Sequence, residues 1–264
     1  MWPRVATLLL CSLWSASTNA SFSVSGGLTR DLVLRPGDVE EGVIEILSSS
    51  DEPQRIRLYQ TDYLFQSDGS NVYGPPGTTP RSNSEWITIS PREADLPPLG
   101  RVQVVYRVEV PDDTTIRGSY WSMLMVEPLP GVEPLDTPDD QISVGVHMVV
   151  RHGVQFSVTI DGQGERSVKP HGGLQRIKDA TVLQLDLDNT GDFMLRPIVW
   201  AEIYDGGGRL MGRLSSDAKR IYPGCSVRHS FDLGYPPGEY QALVVIDNGD
   251  GEVWGCRYNL DLIQ

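Results

Sequence analysis

Alternation of apolar and polar residues with a period of two appears repeatedly along the chain, and sustained apolar spacing at 3.6 residues almost never occurs. A period of two belongs to half-buried strands. Val43, Ile44 and Ile46 in GVIEIL, Ile56 and Leu58 in RIRLYQ, and the stretches 86–89, 102–110, 120–126 and 142–150 form a first series of predicted strands. A second series comprises 156–160, 181–187, 198–204, 209–214, 226–233, 240–246 and 253–262. Between 120–126 and 142–150 lies EPLPGVEPLDTPDD, with four prolines and a cluster of acids, which predicts a long exposed loop.

The punctuation between these stretches agrees with hairpins. Asp205-Gly206-Gly207-Gly208 and Asp247-Asn248-Gly249 supply residues that accept positive φ between two strands. Pro237-Gly238-Glu239-Tyr240 has the form of a tyrosine corner, in which a Tyr opening the penultimate strand of an immunoglobulin-like sandwich bonds back to the backbone. Gly118-Ser119-Tyr120 occupies the equivalent place in the first series. The expected fold is therefore all-β, with two tandem immunoglobulin-like β-sandwich domains at 21–152 and 153–264, divided within 151–155.

Composition supports this and removes some functions. Of 264 residues, 39 % are hydrophobic and 22 % charged, ordinary usage for a chain with real cores. Gly and Pro together contribute 46 residues, which suits many short strands and tight turns. The formal charge of -13 argues against nucleic acid, whose phosphates need a concentrated basic surface. Residues 1–20 read as a secretory signal peptide: Arg4, an apolar run over 5–14, then small and polar residues to Ala20. That run is about half of what a membrane span requires. An extracytoplasmic location follows, and there Cys225 and Cys256 are expected to form a disulfide, closing a loop of about thirty residues for roughly 3 kcal/mol.

Reactive chemistry is not evident. There is no Gly-x-Ser-x-Gly, no recognisable Cys-His signature, and no Cys-x-x-Cys or His-x-x-x-His, so neither an enzyme nor a metal or cofactor site is expected. Gly162-Gln163-Gly164 lacks the remainder of a dinucleotide fingerprint. DLDNTGD and DNGDG resemble calcium loops in composition only. Tyr59, Tyr63, Phe65, Tyr73 and Trp86 would make a carbohydrate platform if one face exposed them together; otherwise they are core.

Two segments carry a resemblance. Arg117-Gly118-Ser119, followed by YWSMLMV and closed by Glu127-Pro128, resembles the Arg-Glu-Ser strand of periplasmic chaperones of the chaperone-usher pilus pathway. Val146-His147-Met148-Val149-Val150-Arg151 resembles the final strand of that family's first domain. The resemblance implies a PapD-like first domain and a two-sandwich boomerang. It also implies a basic pair in the inter-domain angle that clamps the terminal carboxylate of a pilus subunit. Carried over, His147 takes the position of the family's Lys, and Arg30 or Arg35 that of its Arg. The family's last strand begins with alternating hydrophobes that complete the subunit by strand addition. The matching stretch here, 137–141, has none. Either Ile142, Val144, Val146, Met148 and Val150 serve in a shifted register ahead of Arg151, or no strand is donated.

The expected function is a periplasmic, non-enzymatic chaperone that binds a pilin-like subunit by edge-strand pairing and carboxylate clamping, with an outer-membrane usher as a further partner. The alternative is a secreted or cell-surface structural or adhesive module with no client.

Overall fold

A computed structural model describes residues 22–129, 149–162, 164–177 and 180–263. The predicted signal peptide, and Ile142, Val144, Val146, His147 and Met148, lie outside them. The described residues form strands and one 3-10 turn, Ser84–Trp86. The first ten strands are β1 (Phe22–Val24), β2 (Thr29–Leu34), β3 (Val39–Ser48), β4 (Gln54–Phe65), β5 (Asn71–Gly74), β6 (Ile87–Ser90), β7 (Glu93–Leu96), β8 (Arg101–Glu109), β9 (Gly118–Pro128) and β10 (His152–Ile160). The next seven are β11 (Val168–Ile177), β12 (Ala180–Asn189), β13 (Ile198–Asp205), β14 (Leu210–Ser216), β15 (Ser226–Asp232), β16 (Gly238–Asp247) and β17 (Val253–Leu262).

The first sandwich packs a sheet of order β1-β3-β8-β6 against one of order β2-β10-β9-β4-β5, with β7 also on β4. Alternation places its residues. β8, RVQVVYRVE, buries Val104, Tyr106 and Val108, while Arg107 on its other face pairs with Glu41 of β3 at 2.8 Å. Ile44, Ile46, Leu58, Val126 and Phe156 meet in one cluster. The second sandwich packs β11-β12-β15 against β14-β13-β16-β17 around Leu183, Leu185, Leu187, Ala201, Ile203 and Val244. Its tyrosine corner is present: the Tyr240 hydroxyl donates to the Pro236 carbonyl at 3.0 Å.

One strand changes sides relative to expectation. The stretch 156–160, expected to open the second series, belongs to β10, which pairs antiparallel with β9 and parallel with β2. The reason lies in its inward residues: Val154, Phe156, Val158 and Ile160 all enter the first core. β11 escaped prediction because Pro170 and Gly172-Gly173 break its alternation; as an edge strand it tolerates a residue that cannot donate to the ladder.

A second expectation fails outright. Cys225 and Cys256 are both free. Cys225 lies buried on the turn ahead of β15, its amide bonded to the Tyr222 carbonyl, whereas Cys256 lies on β17 opposite Val244 in the other sheet. Each is a small apolar filler of the second core, and burial pushes both thiols up from their ordinary value.

The sandwiches meet through side chains and main chain alike. Trp121 of β9 packs into the second core, stacked on Tyr222 with ring centroids 4.5 Å apart, and its Nε1 donates to the Tyr63 carbonyl at 2.7 Å. The Ser119 amide donates to the Asp192 carbonyl, and the Met194 amide to the Ser119 hydroxyl. At the tip of the β4–β5 hairpin, the Ser67 amide and hydroxyl donate to Ser226 and Asp186.

Candidate protein-binding site

The registers of β4, β9, β10 and β2 lay out the outward face of the first sandwich's larger sheet row by row. Arg57 lies opposite Glu127; Tyr59 opposite Met125, which lies opposite Gly153; Thr61 opposite Met123, which lies opposite Gln155; and Trp121 opposite Ser157, which lies opposite Asp31. The second sandwich covers the Trp121 row and leaves the three preceding rows as the wall of a corner. Both ends of this wall are charged.

At the covered end, Arg220 from the second sandwich forks onto Asp31, with Nη2 to Oδ2 at 2.7 Å, and also reaches the Tyr222 hydroxyl at 3.2 Å. The bond from Asp31 raises the Arg220 pKa further above its ordinary value, so this cation stays charged and already has a counterion. At the open end, Glu127 accepts from Arg57 and Arg151, each at 2.8 Å. The Arg57 hydrogen bond holds the Glu127 carboxyl below the usual carboxylate range. Arg57 also lies over the Tyr59 ring.

Between these ends the wall is apolar and adaptable. Met125, Tyr59 and Gln155 are half-buried and Met123 is nearly covered. A Cβ on Gly153 would come within 2.4 Å of Met123 Sδ, so the glycine gives the methionine room to lie across β10.

Of the expected clamp residues, Arg30 and Arg35 are described and lie apart from each other, while His147 is outside the described residues. Arg30 points its Nη1 into its own turn, donating to the carbonyls of Gly26, Gly27 and Thr29 at 3.0 to 3.1 Å. Arg35 lies past the far end of β2, exposed, beside Ile116, Arg117 and Asp161. Five residues of strand place them about 17 Å apart. Of the expected donor residues that are described, Val150 is 38 % exposed and Arg151 is bonded to Glu127. Asp31 and Arg220 gave no signal in the sequence, because only strand registers bring them to this face; Met123, Met125 and Glu127 stood in the segment 117–128 but without a role.

The remaining candidates resolve into structure. Asp186 is held by Arg228 at 2.7 Å, and Asp192 by Arg81 and the Glu165 amide. The five aromatics do not form one exposed platform: Tyr63 stacks on Tyr73 and meets Phe65, which packs on Tyr222 in the second core, while Trp86 packs on Tyr120 against the first.

No protein-family description and no curated relative matches the chain. Similar folds occur among solved structures. A chain of a chaperone–tip adhesin complex of CFA/I fimbriae biogenesis is 14 % identical, with a TM-score of 0.48 over 91 % of this chain and 98 % of that one. The class 5 fimbriae chaperone CfaA is 13 % identical, with a TM-score of 0.45 over 92 % of this chain and 100 % of its own. A chain of the CsuC–CsuE chaperone–tip adhesion subunit pre-assembly complex of Acinetobacter baumannii is 11 % identical, with a TM-score of 0.44 over 89 % and 98 %. At this level the likeness is one of fold.

Proposed function

We propose that the protein is an extracytoplasmic, non-enzymatic chaperone that binds a pilin-like subunit in the corner between its sandwiches and adds the segment 142–150 to the subunit as a strand. One observation carries the reading. The core-facing parity of β10, set by Val154, Phe156, Val158 and Ile160, continues upstream in the sequence at Val150, Met148, Val146, Val144 and Ile142. β9 ends at Pro128, and its pairing with β10 stops at His152 opposite Val126. An alternating apolar run of this length, directly ahead of a paired strand, is what a main-chain partner with a hydrophobic groove fits.

In this reading the first domain runs through Ile160 and the division falls in 161–167. His147, within that segment, is the residue that would meet the subunit's terminal carboxylate. Arg30 or Arg35, not both, would stand beside His147, since the one turns on its own loop and the other lies past the far end of β2. Residues 1–20 direct export to the periplasm, and an outer-membrane usher receives the complex.

Co-expression with a pilin-like subunit encoded by a neighbouring gene tests this. Soluble subunit is expected to co-purify with the wild type, and a Val144→Arg, Val146→Arg double variant of unchanged melting temperature is expected to lose it. Equal recovery with and without the protein would leave the client-free surface module as the better reading.

A further inference from the structure

We infer that Glu127 is the positioning residue that sets the direction in which the chain meets the amino-terminal end of β10, and with it the face that Val150 presents. The role in docking rests on the proposed function; the positioning itself does not.

Three observations lead to it. First, the Glu127 side chain is only 11 % exposed, and both of its oxygens are engaged, Oε2 by Arg57 Nη2 and Oε1 by Arg151 Nε. A nearly buried carboxylate requires such partners, because removing a charge from water without compensation is costly. Second, its two arms are unequal. Arg57 sits inside the β4–β9 ladder, directly opposite Glu127, with Ile56 opposite Pro128 still to follow. Arg151 sits outside any ladder: pairing of β10 with β9 stops at His152 opposite Val126. The ion pair is therefore what continues the register one residue beyond the last ladder position.

Third, the tie fixes a face. Glu127 and Arg57 lie on the outward side of the sheet, as Leu58 and Val126 beside them point into the core. Arg151 bonded there turns its neighbour Val150 to the opposite side, the side of Val154 and Phe156. A slip of one residue would turn the apolar parity outward and direct Arg151 at the core side. Val149 and Val150 are 50 % and 38 % exposed, so burial alone does not hold them in register.

Amide exchange of the purified full chain tests the positioning. Glu127→Gln and Arg151→Ala are expected to accelerate exchange over residues 149–156 about tenfold, with β3 and β8 unchanged. Arg57→Ala, which removes the arm inside the ladder, is expected to leave 149–156 at the wild-type rate. Equal acceleration by all three variants, or none by any, overturns the inference. The docking role is read separately, from recovery of the co-expressed pilin-like subunit. Arg151→Ala is expected to lower recovery at least threefold, and Arg107→Ala, which breaks an ion pair on the other sheet of the same sandwich, to keep it. If Arg151→Ala matches a wild type that recovers the subunit, the docking role falls. If the wild type recovers none, the chaperone reading falls and the exchange experiment alone decides the positioning.

Discussion

His229 has no exposed surface; its Nδ1 lies 2.8 Å from the Ser216 hydroxyl, and its Nε2 meets no hydrogen-bond partner among the described residues. Burial, reinforced by the nearby Lys219 charge, lowers its pKa from 6.5 to about 4. Because the folded value lies below the unfolded one, the unfolded chain takes up the proton first. The native state is unpenalised above pH 6.5 and loses stability as pH falls from there toward 4. At pH 5 the loss attributable to this group is about 2 kcal/mol. Urea unfolding of the wild type and His229→Gln at pH 7 and pH 5 measures it: the wild type should lose about 2 kcal/mol more than the variant between the two values. Gly118 is a second residue with a definite consequence. It sits at φ +83, and a Cβ there would lie 2.2 Å from the Asp192 carbonyl oxygen. Gly118→Ala should cost about 2 kcal/mol or more in the same assay, with the loss concentrated at the junction. A cost near zero would mean that the two backbones are not in contact there.

At the scale of the element, β10 is the strand on which the account turns. Alternation made 156–160 legible as a strand, and its inward residues as apolar, but not its partners. Pairing depends on what lies beside it in space, and the parallel neighbour β2 carries Asp31 and Arg30 where a strand reading looks for apolar residues. β11 stayed hidden because Pro170 and two glycines remove the pattern, whereas Tyr240 announced its corner through the Pro-Gly before it. The candidate wall was legible only in part for the same reason: YWSMLMV stood out as a strand, but a period of two does not say which face meets water or which strands lie alongside. The disulfide reading failed because two cysteines near the same core need not face each other. Placement of β10 in the first sandwich has its own check. Phe156 is fully buried in the first core, so Phe156→Ala should cost about 3–5 kcal/mol, with amide protection lost in β2 and β9 before β13 and β16. The reverse order would return the strand to the second sandwich.

For the molecule as a whole, the junction is a continuation of the second core into the first sandwich through Trp121, with the β4–β5 hairpin docked beside it. Apolar contact should therefore outweigh the charged one. Asp31 is half exposed, so its pair with Arg220 is worth about 1 kcal/mol at most, while truncating Trp121 should cost about 3–5 kcal/mol. Calorimetry of Arg220→Ala and Trp121→Ala compares them, and similar costs would contradict a shared core. A corner held this firmly gives the wall of Tyr59, Met123, Met125 and Gly153 a fixed orientation, which under the proposed function offers a client a preformed surface. The most direct measurement is amide exchange over 142–156 in the free protein and in a complex co-purified with its subunit. Strong new protection at 142–150 in the complex, continuous with that of β10, is the result predicted. Unchanged exchange there, with protection gained elsewhere, would contradict strand addition as the means of binding.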